Sequence, residues 1–441
     1  MRAAHLRSTG RKALLVLGGV LLAGAAVMAW LVWPAQPLVV RPADVASNPA
    51  DPHTIERGRY LAVLGNCQAC HTTRGGTPFA GGLGVVTPFG TVYGSNLTPS
   101  ENGLGDWSAD DFWRALHHGQ GRDGRWLNPA FPYSNTTRLS REDSDALFAF
   151  FLSLPPVDTP VPAHDMRWPY NTQFALKAWR TLYFRAQDAA PPAAATTSTA
   201  TLERGAYLVN GLGHCSACHV PRDALGGQGN LLGLSGGLIP MQRWYAPSLL
   251  DPAEAGLQHW SVDEIVALFR DGRARDALVS GPMAEVVQHS TQHWAPQDLQ
   301  AMAIYLRQLP SETVTQRLRH EPADSRVLAA GGQRYEQHCA QCHGARGEGV
   351  SSQGAVAYPP LAGNRTVTMA SPANLAQIVL NGGFGPSTQA HPRPFGMPPF
   401  VLQFNDQELA ELLTYVRTQW GNQAPPVSAL DVQQLRRPLG H

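Results

Sequence analysis

Cysteine and histidine stand side by side three times in this 441-residue sequence: Cys67-Gln68-Ala69-Cys70-His71, Cys215-Ser216-Ala217-Cys218-His219 and Cys339-Ala340-Gln341-Cys342-His343. The three segments use all six cysteines of the chain. Cys-x-x-Cys-His is the attachment signature of c-type haem. Two thiols at this spacing meet the two vinyl groups of one porphyrin as thioethers, and the adjacent imidazole meets the iron as proximal ligand. A single copy also suits a redox dithiol or half of a zinc site. Three copies with no cysteine left over do not. The expectation is therefore three covalently attached haem c groups, with Cys67, Cys70, Cys215, Cys218, Cys339 and Cys342 as the attachment points and no thiol left for a disulfide. His71, His219 and His343 are the expected proximal ligands, and one-electron transfer is the expected chemistry.

The opposite face of each iron calls for a sixth ligand, and a Met sulfur there raises the potential. Distal Met sits late in a haem domain, in the loop before its last helix. Met397, in Phe395-Gly396-Met397-Pro398-Pro399-Phe400, has this place in the third copy, and Met283, in Ser280-Gly281-Pro282-Met283-Ala284-Glu285, has it in the second. Met302 and Met369 are expected to be packing residues. In the first copy the equivalent loop is Asn128-Pro129-Ala130-Phe131-Pro132-Tyr133, and Phe131 cannot ligate iron. The first haem then has an open site, a His such as His117 or His118, or a displaced Met166. Each of these choices other than Met lowers its potential relative to Met ligation.

The elements that must hold these residues recur with them. A short helix precedes each motif: Glu56-Arg57-Gly58-Arg59-Tyr60-Leu61 and Glu203-Arg204-Gly205-Ala206-Tyr207-Leu208 are near-copies, and Gly331-Gly332-Gln333-Arg334-Tyr335 is a looser third. A Gly-rich loop follows each motif and leads to a capped helix. Ser108 with Asp111 and Ser261 with Glu264 have the spacing of a capping box, and Ser371 opens the third helix at Ala373. Each copy closes on an apolar-periodic helix, expected over Asp143–Ser153, Gln297–Leu309 and Asp406–Trp420, whose stripes pack the core. The fold class is all-α: three tandem cytochrome c-like haem domains over 50–156, 201–310 and 326–421. A linker over 157–200 includes the low-complexity run Ala189–Thr199, a second connection runs from Leu309 to Ser325, and 422–441 form a tail, either disordered or for docking.

The formal charge of +1 excludes the basic footprint of a nucleic-acid binder. Charged residues make up only 15% of the chain, with 11 tryptophans, so part of the surface is expected to be covered by partner proteins or lipid. Residues 1–33 are a membrane anchor or signal segment. Arg2, Arg7, Arg11 and Lys12 precede an uncharged run, Ala13–Trp33, that matches the ~20 residues needed to span a bilayer core. Cleavage after Ala29 is the competing reading. Either way the haem-bearing part lies outside the cytoplasmic membrane, facing the periplasm.

The sequence resembles the tri-haem cytochrome c subunits of bacterial membrane-associated periplasmic dehydrogenases over about residues 50–421. The marks include Thr87-Pro88-Phe89-Gly90, Ser95-Asn96-Leu97-Thr98-Pro99, Gly281-Pro282-Met283-Ala284-Glu285 and Tyr415-Val416-Arg417 leading into Trp420-Gly421-Asn422. The resemblance implies electron transfer from a catalytic subunit that oxidises an alcohol, sugar, sugar acid or aldehyde, through the haems, to ubiquinone or another respiratory acceptor. It also implies a small third subunit in some complexes. The Phe131 position is usually Met in the alcohol and sugar branch, and Phe there resembles the branch that partners molybdenum hydroxylases. Nothing in the sequence has the form of a nicotinamide, flavin or molybdopterin site, so no catalytic residue is expected. Two other functions fit the motifs: a haem enzyme that uses an open first haem, and a cytochrome subunit of a respiratory oxidase.

Overall fold

The computed structural model describes residues 51–187, 198–274, 277–312, 323–352 and 355–436, with a few helical positions between 16 and 29. The run Ala13–Trp33 lies for the most part outside them, and no helix among the described residues is long and apolar enough to cross a membrane. The 189–197 part of the low-complexity run and residues 313–322 also lie outside the described residues.

The chain is mostly helical. In the first repeat, α1 (Pro52–Leu64), α2 (Ala109–His118) and α3 (Arg141–Leu152) surround the haem motif. A further helix, α4 (Gln173–Tyr183), follows. The second repeat holds α5 (Ser198–Asn210), α6 (Val262–Asp271), α7 (Pro282–His289) and α8 (Pro296–Arg307). The third holds α9 (Ser325–His338), α10 (Ala373–Asn381) and α11 (Asp406–Thr418), and α12 (Ala429–Arg436) ends the described chain. Local chemistry sets the boundaries. Ser108 and Asp111 form the reciprocal capping box of α2, and Ser261 and Glu264 that of α6. Gly119 and Gly272 close these helices at φ 58 and φ 75, where a side chain is strained. Ser371 does not match them: the cap position of α10 is Pro372, and the Ser371 hydroxyl accepts only the Ala373 N–H at 3.3 Å.

Three features differ from the all-α, linker and tail expectations. The Gly-rich loops fold back on themselves as short antiparallel pairs, because glycine permits the tight reversals that a pair needs. These are β1 (Gly84–Thr87), β2 (Gly90–Tyr93) and β3 (Asp165–Met166) in one sheet, then β4 (Gly237–Leu238) with β5 (Tyr245–Ala246), β6 (Arg273–Ala274) with β7 (Ala277–Leu278), β8 (Val350–Ser352) with β9 (Ala355–Tyr358), and β10 (Gly383–Phe384) with β11 (Gly396–Met397). The 157–200 stretch, expected as a linker, carries β3 and α4. Arg180 of α4 lies over the rings of Trp126 and Tyr133, at 4.1 and 5.2 Å from their centroids, which pins the helix to the first repeat. The tail also folds: Val432 of α12 is buried, and Arg436 reaches Asp406 at 2.7 Å and the Phe404 carbonyl at 2.7 Å.

Within each repeat the first helix crosses the last, α1 on α3, α5 on α8 and α9 on α11. Gly58, Gly205 and Gly331 mark the crossings. A Cβ at these positions would sit 1.9 Å from the Ala146 carbonyl oxygen, 2.1 Å from that of Ala301 and 2.3 Å from that of Glu411. Only hydrogen at Cα lets the two backbones approach this closely.

The core is not divided three ways. One continuous apolar cluster runs from Leu61 through Phe151 and Leu208 to Leu306, so the first two repeats share it. A second cluster, from Tyr335 to Val432, belongs to the third repeat and its tail. Polar exchange joins the first two repeats. Arg57 pairs with the fully buried Asp143 of its own repeat at 2.6 Å, and the Tyr207 hydroxyl of the second repeat donates to Asp143 at 2.5 Å. In return Arg204 pairs with Asp298 at 2.8 Å, and the Tyr60 hydroxyl of the first repeat donates to Asp298 at 2.8 Å. The two repeats meet as an isologous pair within one chain, each lending its Tyr to the other's Asp. The third repeat has Gln333 where they have Tyr60 and Tyr207, counted from the crossing glycine, and it stays outside this pair.

Candidate haem sites

Each motif histidine is held in the same way. His71 Nδ1 lies 2.7 Å from the Ser95 carbonyl, His219 Nδ1 2.7 Å from that of Pro247, and His343 Nδ1 2.9 Å from that of Pro359. A carbonyl can only accept, so Nδ1 carries the proton and donates it, leaving the Nε2 lone pair for a metal. Burial pushes all three imidazoles below the usual histidine range, partly opposed by the carbonyl bond, and so favours the neutral ring that ligation needs.

The acceptor carbonyls are set by one glycine per repeat. The N–H groups of Gly81, Gly236 and Gly349 donate to the carbonyls of His71, His219 and His343 at 2.8, 2.9 and 2.8 Å. All three glycines are left-handed, at φ 78, 81 and 76. A Cβ at Gly81 would stand 2.6 Å from Asn96 N, at Gly236 2.6 Å from Ser248 N, and at Gly349 2.7 Å from Pro360 N. The missing side chain leaves room for the peptide that follows the acceptor carbonyl. Ser95, Pro247 and Pro359 act through their backbone, so residue type does not announce them. Ser95 opens the 95–99 stretch, and Pro247 and Pro359 directly follow the second strand of their pairs, β5 and β9; that is the available signal.

The thiols are poor nucleophiles as they stand. Burial, with the partner thiol adding to it, pushes Cys67 and Cys215 up to about 12 and Cys339 to about 11. Reactive dithiols work by the opposite shift. The first cysteine of each motif packs against a core cluster, and Cys70 and Cys218 are exposed. The first two motifs lie close together. His214, just before Cys215, places Nε2 3.2 Å from the Gly65 carbonyl, two residues before Cys67.

In the third repeat the proposed proximal and distal groups face one cavity. A space of about 580 Å³ is lined by Cys339, Cys342, His343 and Met397, with the Met delivered by β11. The volume lies within the ~300–1,000 Å³ usual for cofactor clefts. Two thiols, a neutral imidazole and a thioether around an apolar space are a donor set that suits haem c. Met283 follows the left-handed Gly281 at the start of α7 and packs against the core cluster that also carries Cys215. In the first repeat Phe131 packs against that cluster. Met166 pairs with Gly90 at the far end of the β1–β2 hairpin, whose near end leads to Ser95 on the proximal side of His71. The His117 ring stacks on Trp113 at 4.4 Å, and His118 packs edge-on against it at 4.7 Å. Met302 and Met369 are buried packing residues.

Crossed first and last helices, a Cys-x-x-Cys-His turn between them and a carbonyl-anchored histidine define a c-type cytochrome. Residues 328–420 match the cytochrome c family. The chain is 40% identical to the cytochrome c subunit of the quinone-dependent alcohol dehydrogenase of Gluconobacter oxydans, over 88% of this chain and 83% of that one. It is 38% identical to the gluconate 2-dehydrogenase cytochrome c subunit of Pantoea cypripedii, over 90% and 92%. It is 32% identical to the fructose dehydrogenase cytochrome subunit of Gluconobacter japonicus, over 90% and 86%. The chain belongs to this family of dehydrogenase cytochrome c subunits, whose cofactor is haem c and whose work is electron transfer.

Proposed function

We propose that this chain binds three haem c groups and carries electrons from a catalytic dehydrogenase subunit to ubiquinone or another respiratory acceptor, at the periplasmic face of the cytoplasmic membrane. When bound, each haem iron gains and loses one electron between its ferric and ferrous states. Cys67 with Cys70, Cys215 with Cys218, and Cys339 with Cys342 hold the three porphyrins as thioethers. His71, His219 and His343 ligate through Nε2, each kept in that tautomer by its carbonyl partner. Met283 and Met397 complete the second and third sites. Phe131 leaves the first without a thioether, so its potential lies lowest.

The observation that carries this reading is the threefold recurrence of one device: a motif histidine, a left-handed glycine on its carbonyl, and an acceptor carbonyl on its Nδ1. Two contacts support a relay among the three sites. The first two motifs adjoin through His214 and Gly65. Gly281 and Pro282, beside Met283, form part of the wall of the cavity that holds Met397. The partner oxidises an alcohol, a sugar or a sugar acid, as the relatives' own catalytic subunits do by name, and the N-terminal apolar run tethers the assembly to the membrane.

A pyridine haemochrome assay with protein quantification tests the reading. Three haems per chain are expected, and replacing both cysteines of any one motif with serine should remove one. One or two haems in the wild-type chain overturns it. Carbon monoxide binding to the reduced protein tests the first site, because an open position takes the gas and a Met-ligated one resists it.

A further inference from the structure

The cavity of the third repeat is not built by the third repeat alone. Trp244, Arg273, Gly281 and Glu285 of the second repeat line it together with His343 and Met397. This wall is fixed in place. Tyr245 N–H donates to the Asn374 side chain at 2.8 Å, and Asn374 returns a bond to the Tyr245 carbonyl at 2.8 Å. Ser387 N–H donates to the Gln288 side chain at 3.1 Å. Gly272, just before Arg273, passes so close to Pro386 that a Cβ there would stand 2.2 Å from it.

A haem brings two carboxylates into whatever space receives it. A carboxylate enclosed by apolar walls needs a cation or several donors. Among the described residues lining this cavity, Arg273 is the one Lys or Arg, and it comes from the second repeat. Its position is set by the β6–β7 pair, in which Arg273 faces Leu278. His391, on the loop that leads to Met397, is held below the usual histidine range by burial and then by the Arg273 charge.

Resting on the third-haem reading above, we propose that Arg273 of the second repeat binds a propionate of the haem held by Cys339, Cys342 and His343, so that this site is completed across the boundary between two repeats. The planar guanidinium suits a carboxylate bidentately, which a lysine does not. The positive charge also favours the ferrous form of the nearby iron, because that form carries one positive charge less.

The test uses the full chain with Arg273→Met, Arg273→Gln and Arg273→Lys. Haem content is measured by pyridine haemochrome, and the midpoint potentials by spectroscopic redox titration. Met397→His marks which wave belongs to the third haem. The expected result is an unchanged haem count, a shift of the marked wave to lower potential in the Met and Gln variants, and a smaller shift in the Lys variant. Loss of one haem in the Met variant, restored in the Lys variant, also supports the assignment. A marked wave that stays in place in both the Gln and Lys variants overturns it, whether or not the Met variant folds. If replacing Cys339 and Cys342 with serine leaves the haem count intact, the third-haem reading itself fails instead.

Discussion

Tyr207→Phe probes the junction between the first two repeats. The Tyr207 hydroxyl donates to Asp143 at 2.5 Å and accepts the Ser140 N–H at 3.2 Å. Burial, then the Asp143 charge, pushes this phenol well above its ordinary range, so it remains a donor at every working pH. Phe keeps the ring and its packing and removes only the oxygen. The fully buried Asp143 then keeps Arg57 but loses its second partner, and the Ser140 N–H loses its acceptor. A hydrogen bond to a charged group contributes about 1.5–3 kcal/mol, and an orphaned buried donor adds to the loss, so about 2–3 kcal/mol is expected. At about 2–4 °C per kcal/mol for a unit of this size, Tm falls by about 4–12 °C. Tyr60→Phe should do the same from the other side, since its hydroxyl serves Asp298 at 2.8 Å and accepts the Ala295 N–H at 2.9 Å. Gln333→Ala is the control: it changes the exposed counterpart in the third repeat and should stay within ~0.5 kcal/mol of wild type. Differential scanning calorimetry of the haem-loaded chain reads all three. If either Phe variant melts within a degree of wild type, the Tyr–Asp exchange does not hold the repeats together.

Gly205→Ala gains about 1 kcal/mol of helix propensity, but its Cβ falls 2.1 Å from the Ala301 carbonyl oxygen and 2.6 Å from Tyr305 Cβ, so the net effect in urea unfolding should be a clear loss of stability. Met283→Ala and Met397→Ala should each keep the haem count, remove part of the weak near-infrared Met-to-iron absorption and lower one midpoint potential; an unchanged spectrum removes that residue from the ligand set. Phe131→Met should raise the lowest potential and leave the others nearly unchanged in a redox titration. Burial alone would raise the Asp111 carboxyl, but hydrogen bonds from Ser108 and the charge of Arg114 hold it below the usual 3.8. A carboxyl depressed in the folded state stabilises above its unfolded pKa and loses that contribution as pH falls through the folded value. The Tm difference between wild type and Asp111→Asn should therefore be largest near neutral pH and shrink below about pH 4.

The sequence by itself determined what is local. Two thiols and an imidazole within five residues announce their chemistry wherever the chain folds. The capping boxes of α2 and α6 act over four residues, and the closing helices follow their apolar period to within a few residues of Arg141–Leu152, Pro296–Arg307 and Asp406–Thr418. The glycines at 58, 205 and 331 were visible as a repeat, but not as the places where two helices touch. Only the tertiary structure decided what depends on distant backbone. It assigned Ser95, Pro247 and Pro359 to the histidines through carbonyl groups that every residue has. It folded α12 onto the third repeat and set β3 and α4 in a stretch that looks like a linker. It paired Tyr60 with Asp298 and Tyr207 with Asp143 across more than two hundred and more than sixty positions of chain. It also brought Arg273 to a cavity whose cysteines lie in another repeat. Residue type and spacing report the interactions a segment makes with itself. A contact between segments is selected by the shared burial of their apolar faces and the need of each buried polar group for a partner, and neither condition is written at one position.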